Sequence, residues 1–296
     1  MESIFLIVTD ENQWNDLLSR AKNVGPLHTF GWMKMWNSFS NPRRILWTDN
    51  NVIWSFFLEN GVAVGNRDLS LPPAPITDKI DLSEIKNMGA SVVFWITNEV
   101  ENPLFSALKI SKKDHVPRTL LEVKEPTEYY NNLKKETRYQ IRKAKKNDYL
   151  FGYIDPYICG EVVVNINKSS GSFRQGKPVS PNYLDPVIQQ KKFSLAADCM
   201  KEKSLFFGIW KDNIPWAYCH MILGNDIAAI SSFMTHDNHM KFGIGNLLFY
   251  EAARLSYERK IKYILSTYTP NCPGIMKFHE SMGYRLMKQW KNVVIL

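Results

Sequence analysis

Cysteine is scarce in this chain of 296 residues: Cys159, Cys199, Cys219 and Cys272 are the only four, with no C-x-x-C pair and no close Cys/His spacing. That pattern excludes a disulfide framework and a structural zinc finger, and no metal ligand set is expected. No apolar run approaches the roughly 20 residues a membrane helix needs. The opening Met1-Glu2-Ser3-Ile4-Phe5-Leu6-Ile7-Val8-Thr9-Asp10 starts with an acid and meets Asp10 too early for a signal peptide, so it reads as a first strand of a cytoplasmic protein. A peripheral membrane role stays open. No short repeat, low-complexity stretch or sustained heptad run occurs. Two phosphate motifs are also missing. The dinucleotide fingerprint fails at Leu248, where G-x-G-x-x-G needs glycine. Gly171-Ser172-Phe173-Arg174-Gln175-Gly176-Lys177 imitates a nucleoside-triphosphate loop, but Pro178 stands where the magnesium-binding hydroxyl belongs.

What remains is a chain with ample material to bury a core: 45% apolar and 13% aromatic residues. Lys and Arg total 37 against 29 Asp and Glu, a net charge of +8 that suits an anionic ligand. Strand-like and helix-like segments alternate throughout, which points to an α/β (α+β layered) fold in two domains, 1–124 and 125–296, joined at Glu125-Pro126. In the first half, Trp14 to Ala21 and the stretch holding Phe30, Trp32, Met33 and Trp36 read as helices. Ile45 to Trp47 and Val52 to Phe57 read as a hairpin, followed by a turn at Asn60-Gly61. Leu71-Pro72-Pro73-Ala74-Pro75 reads as a rigid loop, because proline removes backbone donors. Asp81 to Met88 reads as a helix, and Ser91 to Ile96 and Arg118 to Val123 as strands.

Pro126 and Thr127 mark a helix start, with the helix expected to reach about Asn147. Tyr130, Leu133, Ile141 and Ala144 share one face. Lys134, Arg138 and Arg142 follow at i+4 spacing beside Lys135, Lys143, Lys145 and Lys146. This basic stripe is either a solvated face or a phosphate contact.

The stretch from Leu205 to Tyr284 is the most informative. Phe206 to Trp210 and Trp216 to Leu223 form a hairpin around Lys211-Asp212-Asn213, and Ile227 to Met234 is a third strand after Asn225-Asp226. That strand enters a loop with Gly243 and Gly245, and then a helix whose Ile244, Leu247, Leu248, Ala252 and Leu255 fall on one face. A strand, a glycine-bearing loop and a helix N-terminus in succession make an anion site: glycine permits close approach, and the first-turn N–H groups point outward at the positive end of the helix dipole. A diphosphate is the expected guest.

Met240-Lys241-Phe242-Gly243-Ile244-Gly245 resembles the R/Q-x-x-G-x-G/A cofactor loop of the GNAT acyltransferase superfamily. Phe278-His279-Glu280-Ser281-Met282-Gly283-Tyr284 resembles that family's second motif. Met240 departs from the usual Arg/Gln and His279 from the usual Tyr. The segment around Arg138, Ile141, Arg142, Lys143 and Ala144, together with Phe173-Arg174-Gln175-Gly176-Lys177-Pro178 and Phe30-Gly31-Trp32, resembles the Fem-like double-GNAT branch. That resemblance implies two GNAT-like lobes, each a mixed, mainly antiparallel sheet flanked by helices, the first lobe degenerate.

The same resemblance implies an N-acyltransferase moving an acyl group from acetyl-CoA or another acyl-CoA to an amine of a small metabolite or amino sugar. Phe233, Met234, Thr235, Lys241, Phe242, Gly243, Ile244, Gly245, Asn246 and Asn271 would hold the donor, with the backbone of Phe233 to Thr235 pairing with its pantetheine arm. His279 would protonate the departing thiolate. His220, or His236, Asp237 and His239 beside the loop, would relay the amine's proton. Arg138, Arg142 and Arg174 would bind an anionic acceptor or a tRNA phosphate. Two alternatives stand beside this reading: an aminoacyl-tRNA-dependent Fem-like peptidyltransferase in cell-wall assembly, and a non-catalytic scaffold on a decayed GNAT lobe.

Overall fold

A computed structural model describes residues 6–38, 44–48, 50–59, 62–64, 74–77, 91–97, 113–115, 118–169, 171, 173–174, 177–266, 272–287 and 289–294. The expected turn at Asn60-Gly61, the Leu71 to Pro73 part of the proline-rich loop, the expected helix from Asp81 to Met88, and Asn271 lie outside them.

In the first half the chain forms β1 (Leu6–Ile7), α1 (Glu11–Arg20), α2 (Phe30–Asn37), β2 (Arg44–Thr48), β3 (Val52–Glu59), β4 (Val62–Val64), β5 (Ala74–Pro75), β6 (Ser91–Thr97), β7 (Lys113–His115) and β8 (Arg118–Glu122). Asp10 caps α1 by accepting from the Gln13 amide at 2.8 Å, and Thr29 caps α2. The second half forms α3 (Pro126–Asn132), α4 (Lys135–Lys146), β9 (Leu150–Tyr153), α5 (Gly160–Lys168), β10 (Phe173–Arg174), β11 (Lys177–Pro178), α6 (Pro186–Met200), β12 (Ser204–Lys211), β13 (Ile214–Leu223), β14 (Ile227–Thr235), α7 (Asp237–Met240), α8 (Ile244–Glu258), β15 (Tyr263–Ser266), α9 (Pro273–Ser281), β16 (Arg285–Met287) and β17 (Gln289–Val294).

Two large sheets result. One has the order β1-β2-β3-β4-β6-β17-β7, with β5 on β3; β4 and β6 run parallel and the remaining pairs antiparallel. The other has the order β16-β8-β15-β14-β13-β12-β9. By internal contacts the chain divides into one unit of Met1–Arg118, Gly224–Ile227 and Leu286–Leu296 and another of Thr119–Leu223 and Ala228–Arg285. The expected domain edge fell near 125 with a single crossing. Here the first crossing is at 118/119, because β8 pairs with β15, and the C-terminal strand returns to β6 in the other sheet.

Two further expectations need correction. The helix expected from Pro126 to Asn147 breaks at Leu133 and Lys134, whose ψ values are 148° and 150°. Tertiary burial outweighs helix propensity at this point: Leu133 is buried, as is Tyr129, whose hydroxyl donates to the Met282 carbonyl at 2.7 Å. The cap of α3 is Glu125, accepting from the Glu128 amide, rather than Thr127. Pro75, expected in a loop, sits in β5 opposite Val52; its carbonyl accepts from the Lys22 amide, and an off-path two-residue strand tolerates a missing N–H.

The first unit's core gathers Trp14, Leu17, Leu18, Val24, Phe30, Leu46 and Ile53. The second sheet is buried on both faces. Phe207, Ile209, Cys219, Met221 and Ile230 pack with Ile141 of α4 and Leu248 and Ala252 of α8, whereas Phe206, Tyr218 and Met234 pack with Val163 of α5 and Phe193 of α6. A bulge in β14 sets which side chains go where. His220 pairs with Ser232 but Met221 with Ile230, leaving Ser231 without an opposite residue and switching the facing of the strand beyond it.

Candidate active site at the start of α8

The hairpin of β12 and β13 closes through Asp212 and Asn213, both at positive φ (54° and 59°), a turn twisted to match its strands. Its partner β14 ends at Thr235 and hands the chain through α7 to the start of α8. Gly243 precedes α8 at φ +80°, where a Cβ would stand 2.4 Å from the Gln140 carbonyl oxygen of α4. Only glycine meets both conditions without strain. Gly245 differs: a Cβ there would lie 3.5 Å from Thr235 Cγ2 and 3.7 Å from Phe278, which is ordinary contact. The end of β14, the first turn of α8 and α9 therefore converge at Gly245.

The Phe242 and Gly243 amides are used within the turn, donating to the His239 and Met240 carbonyls, and Leu247 donates to Gly243. No acceptor among the described residues takes the amides of Ile244, Gly245 and Asn246, and Gly243 offers no capping side chain. Three first-turn donors with no partner, at a helix of 15 residues, fit a diphosphate. Lys143 of α4 donates its ammonium to the Lys241 carbonyl at 2.8 Å and ties the loop to the basic helix.

Around this point the expected residues separate by role. Ile244 is fully buried, and Met234 is buried among Phe193, Phe206 and Tyr218. The Phe233 ring packs edge-on to Phe249 at 4.9 Å. Lys241 is exposed with its ammonium 5.3 Å from the Phe242 ring centroid, and Asn246 points its amide at the Met282 sulfur, 3.4 Å away. Met240 is 56% exposed. Arg142 is exposed, 3.3 Å from the Tyr130 hydroxyl; Arg138 is partly buried, its Nε without a hydrogen-bond partner. Arg174 belongs to the two-residue pairing of β10 with β11.

The two histidines expected to move protons do not stand where that chemistry needs them. His279 is fully buried, its Nδ1 3.3 Å from Thr119 Oγ1 of β8 and its Nε2 3.3 Å from Ser266 Oγ of β15. Burial lowers its pKa to about 4. Held neutral among Phe233, Phe249, Phe278 and Tyr284, it pins α9 to two strands instead of offering a proton to a thiolate. His220 is buried at 2% exposure, its Nε2 2.9 Å from Ser204 Oγ. Burial first, and the Lys192 charge second, lower its pKa to about 3, too weak a base to relay an amine's proton at neutral pH.

The loop's own histidines are held by residues that local sequence pattern does not single out. His239 Nδ1 lies 2.6 Å from the Tyr149 hydroxyl, and Trp216 stacks on its ring with centroids 3.8 Å apart. Burial, with the nearby His236, Lys211 and Lys241, lowers the His239 pKa. His236 stands edge-on to Trp216 at 5.1 Å. Tyr149 is 90 positions away in the chain, and no local signal announces the pairing. Among the described residues no group of three or more His, Cys, Asp or Glu is placed to hold a metal.

No protein-family model matches the chain, and no curated protein sequence matches it significantly. Solved structures do. FemX aligns at a TM-score of 0.73 and 9% identity over 98% of this chain and 97% of its own. The structure of L-PGS from Bacillus licheniformis aligns at 0.55 and 12% identity (96% and 92%), and a tandem GNAT protein from the clavulanic acid biosynthesis pathway at 0.53 and 10% (97% and 96%). The chain has the Fem-like double-GNAT fold. At such identity the likeness speaks for architecture alone.

Proposed function

We propose that the protein is an N-acyltransferase that takes an acyl group from acyl-CoA, with acetyl-CoA as the first candidate, and passes it to the amine of a small metabolite or amino sugar. The observation that carries this reading is the trio of unpartnered amides at Ile244, Gly245 and Asn246 in the first turn of α8, where Gly245 stands against Thr235 at the end of β14. The Fem-like double-GNAT fold supports it.

In this reading the three amides bind the donor's diphosphate. The edge of β14 near Phe233 to Thr235 receives the pantetheine arm as an added strand; β15 supplies four residues beside the nine of β14. When bound, the thioester supplies an activated carbonyl. The chain's contribution is to orient that carbonyl and offer backbone N–H groups to the oxygen on which charge develops. Domain 125–296 carries the donor site and 1–124 is the degenerate lobe, apart from the strands β8 and β17 that each half lends to the other's sheet.

Calorimetry with coenzyme A tests the reading. Wild type and Gly245→Ala should bind alike, because the added methyl meets only ordinary contacts, whereas Gly245→Trp should abolish the heat. Equal binding by the tryptophan variant, or none by wild type, overturns it.

A second reading, an aminoacyl-tRNA donor, is favoured by the ammonium of Lys143 on the basic helix α4 reaching the same loop, and by the FemX fold. Salt-sensitive tRNA binding lost on reversing Lys134 and Arg142, both exposed, would select it over coenzyme A.

A further inference from the structure

On the face of the second sheet turned toward α6, four polar side chains form a row in otherwise apolar surroundings. Lys192 of α6 donates its ammonium to Ser232 Oγ at 2.8 Å, and the same ammonium lies 5.0 Å from the Phe193 ring centroid and 5.8 Å from that of Tyr183. Ser232 follows the bulge at Ser231 and is directly opposite His220 in the β13–β14 register, so the two side chains leave the sheet on one face. His220 Nε2 meets Ser204 Oγ on the next strand, while its Nδ1 is buried without a hydrogen-bond partner. The row runs Ser204, His220, Ser232, Lys192 across β12, β13, β14 and α6. Every member is neutral or cationic.

An unsatisfied imidazole nitrogen inside a core is costly, and a core built for packing alone would place an apolar residue at position 220. In the tautomer in which the Ser204 hydroxyl donates to Nε2, Nδ1 carries the proton and is a buried donor without a hydrogen-bond partner. A half-buried ammonium bonded to the Ser232 hydroxyl and an imidazole N–H on the residue opposite make a set of donors complementary to an oxygen anion.

We propose that Lys192, His220 and Ser232 form an oxyanion subsite that recognises a carboxylate or phosphate group on the acceptor, next to the β14 bulge. The assignment to the acceptor rests on the transferase reading; the anion site itself does not.

The test measures Lys192 directly. The full chain is treated with an amine-acylating reagent at constant ionic strength in chloride, acetate or inorganic phosphate, and labelling is followed by peptide mass spectrometry. Exposed Lys191 serves as internal control. Acetate or phosphate at about ten times its half-protection concentration should slow Lys192 labelling about tenfold and leave Lys191 unchanged. Protection by acetate alone assigns a carboxylate, and by phosphate alone a phosphate. Ser232→Ala and His220→Phe should each weaken protection while circular dichroism stays that of wild type. Equal Lys192 labelling in all three salts overturns the proposal, as does full protection persisting in both variants. Coenzyme A calorimetry on Lys192→Met separates the two readings: unchanged binding is expected, so a failure of the donor site and a failure of the anion subsite register in different measurements.

Discussion

Gly243 is the residue on which the site's geometry depends most. At φ +80°, with the Gln140 carbonyl 2.4 Å from where a Cβ would be, Gly243→Ala must distort the backbone or push α4 away. A loss on the order of 2–4 kcal/mol is expected in urea unfolding, against near-neutrality for Gly245→Ala. Equal stability of the two alanine variants would contradict the close packing of α4 against the loop. The glycine pair was legible in the sequence; the difference between its members was not, because it depends on a carbonyl about a hundred positions away. The histidines repeat the lesson with the opposite outcome. The family resemblance offered His279 and His220 as proton carriers, and burial makes them neutral, with pKa values of about 4 and 3. Both lie below the unfolded value of about 6.5, so the unfolded chain binds protons first. Their stabilising contribution is whole above about pH 6.5 and is lost as pH falls toward those lowered values. At pH 5 each should cost about 2 kcal/mol relative to pH 7.5. His279→Phe should flatten the wild-type slope by about one proton's worth; an unchanged slope would mean that His279 is not held neutral.

Among elements, the helices and strands around the loop were readable because their periodicity is strong: β12, β13, β14 and α8 all occur where alternation and helical spacing place them. What escaped was any feature decided by a neighbour: the break between α3 and α4, the bulge that turns Ser232 toward α6, and the Tyr149–His239–Trp216 cluster. The basic stripe of α4 was left between a solvated face and a phosphate contact, and the structure adds a third use, since Lys143 holds the Lys241 carbonyl. Removing that tether by Lys143→Met should weaken coenzyme A binding by about fivefold, the worth of a hydrogen bond of about 1 kcal/mol, without a matching loss of thermal stability. Lys143→Arg should restore most of it. If the methionine variant binds as wild type does, the loop holds its shape without α4.

The whole molecule is linked by strands that leave their own half of the sequence. Strand patterning marked β8 but not its partner, and it did not mark β17; the family resemblance implied two lobes, while the reciprocal placement of these strands was legible in neither. β8, at the end of the first half, pairs with β15; β17, at the C-terminus, lies between β6 and β7 in the other sheet. Removing β17 would therefore strip from the first sheet the strand between β6 and β7, leaving the backbone donors and acceptors of β6 without their partner from Thr97 to Val92. A chain ending at Met287 should lose stability in the first unit, seen as rapid proteolysis within β2 to β6. The hydrogen-exchange protection of β12 to β14, whose strands pair within the second sheet, should persist. A cut that instead left both halves equally protected would show that the C-terminal strand is dispensable, and one that unfolded both at once would show that the two units fold as a single cooperative body.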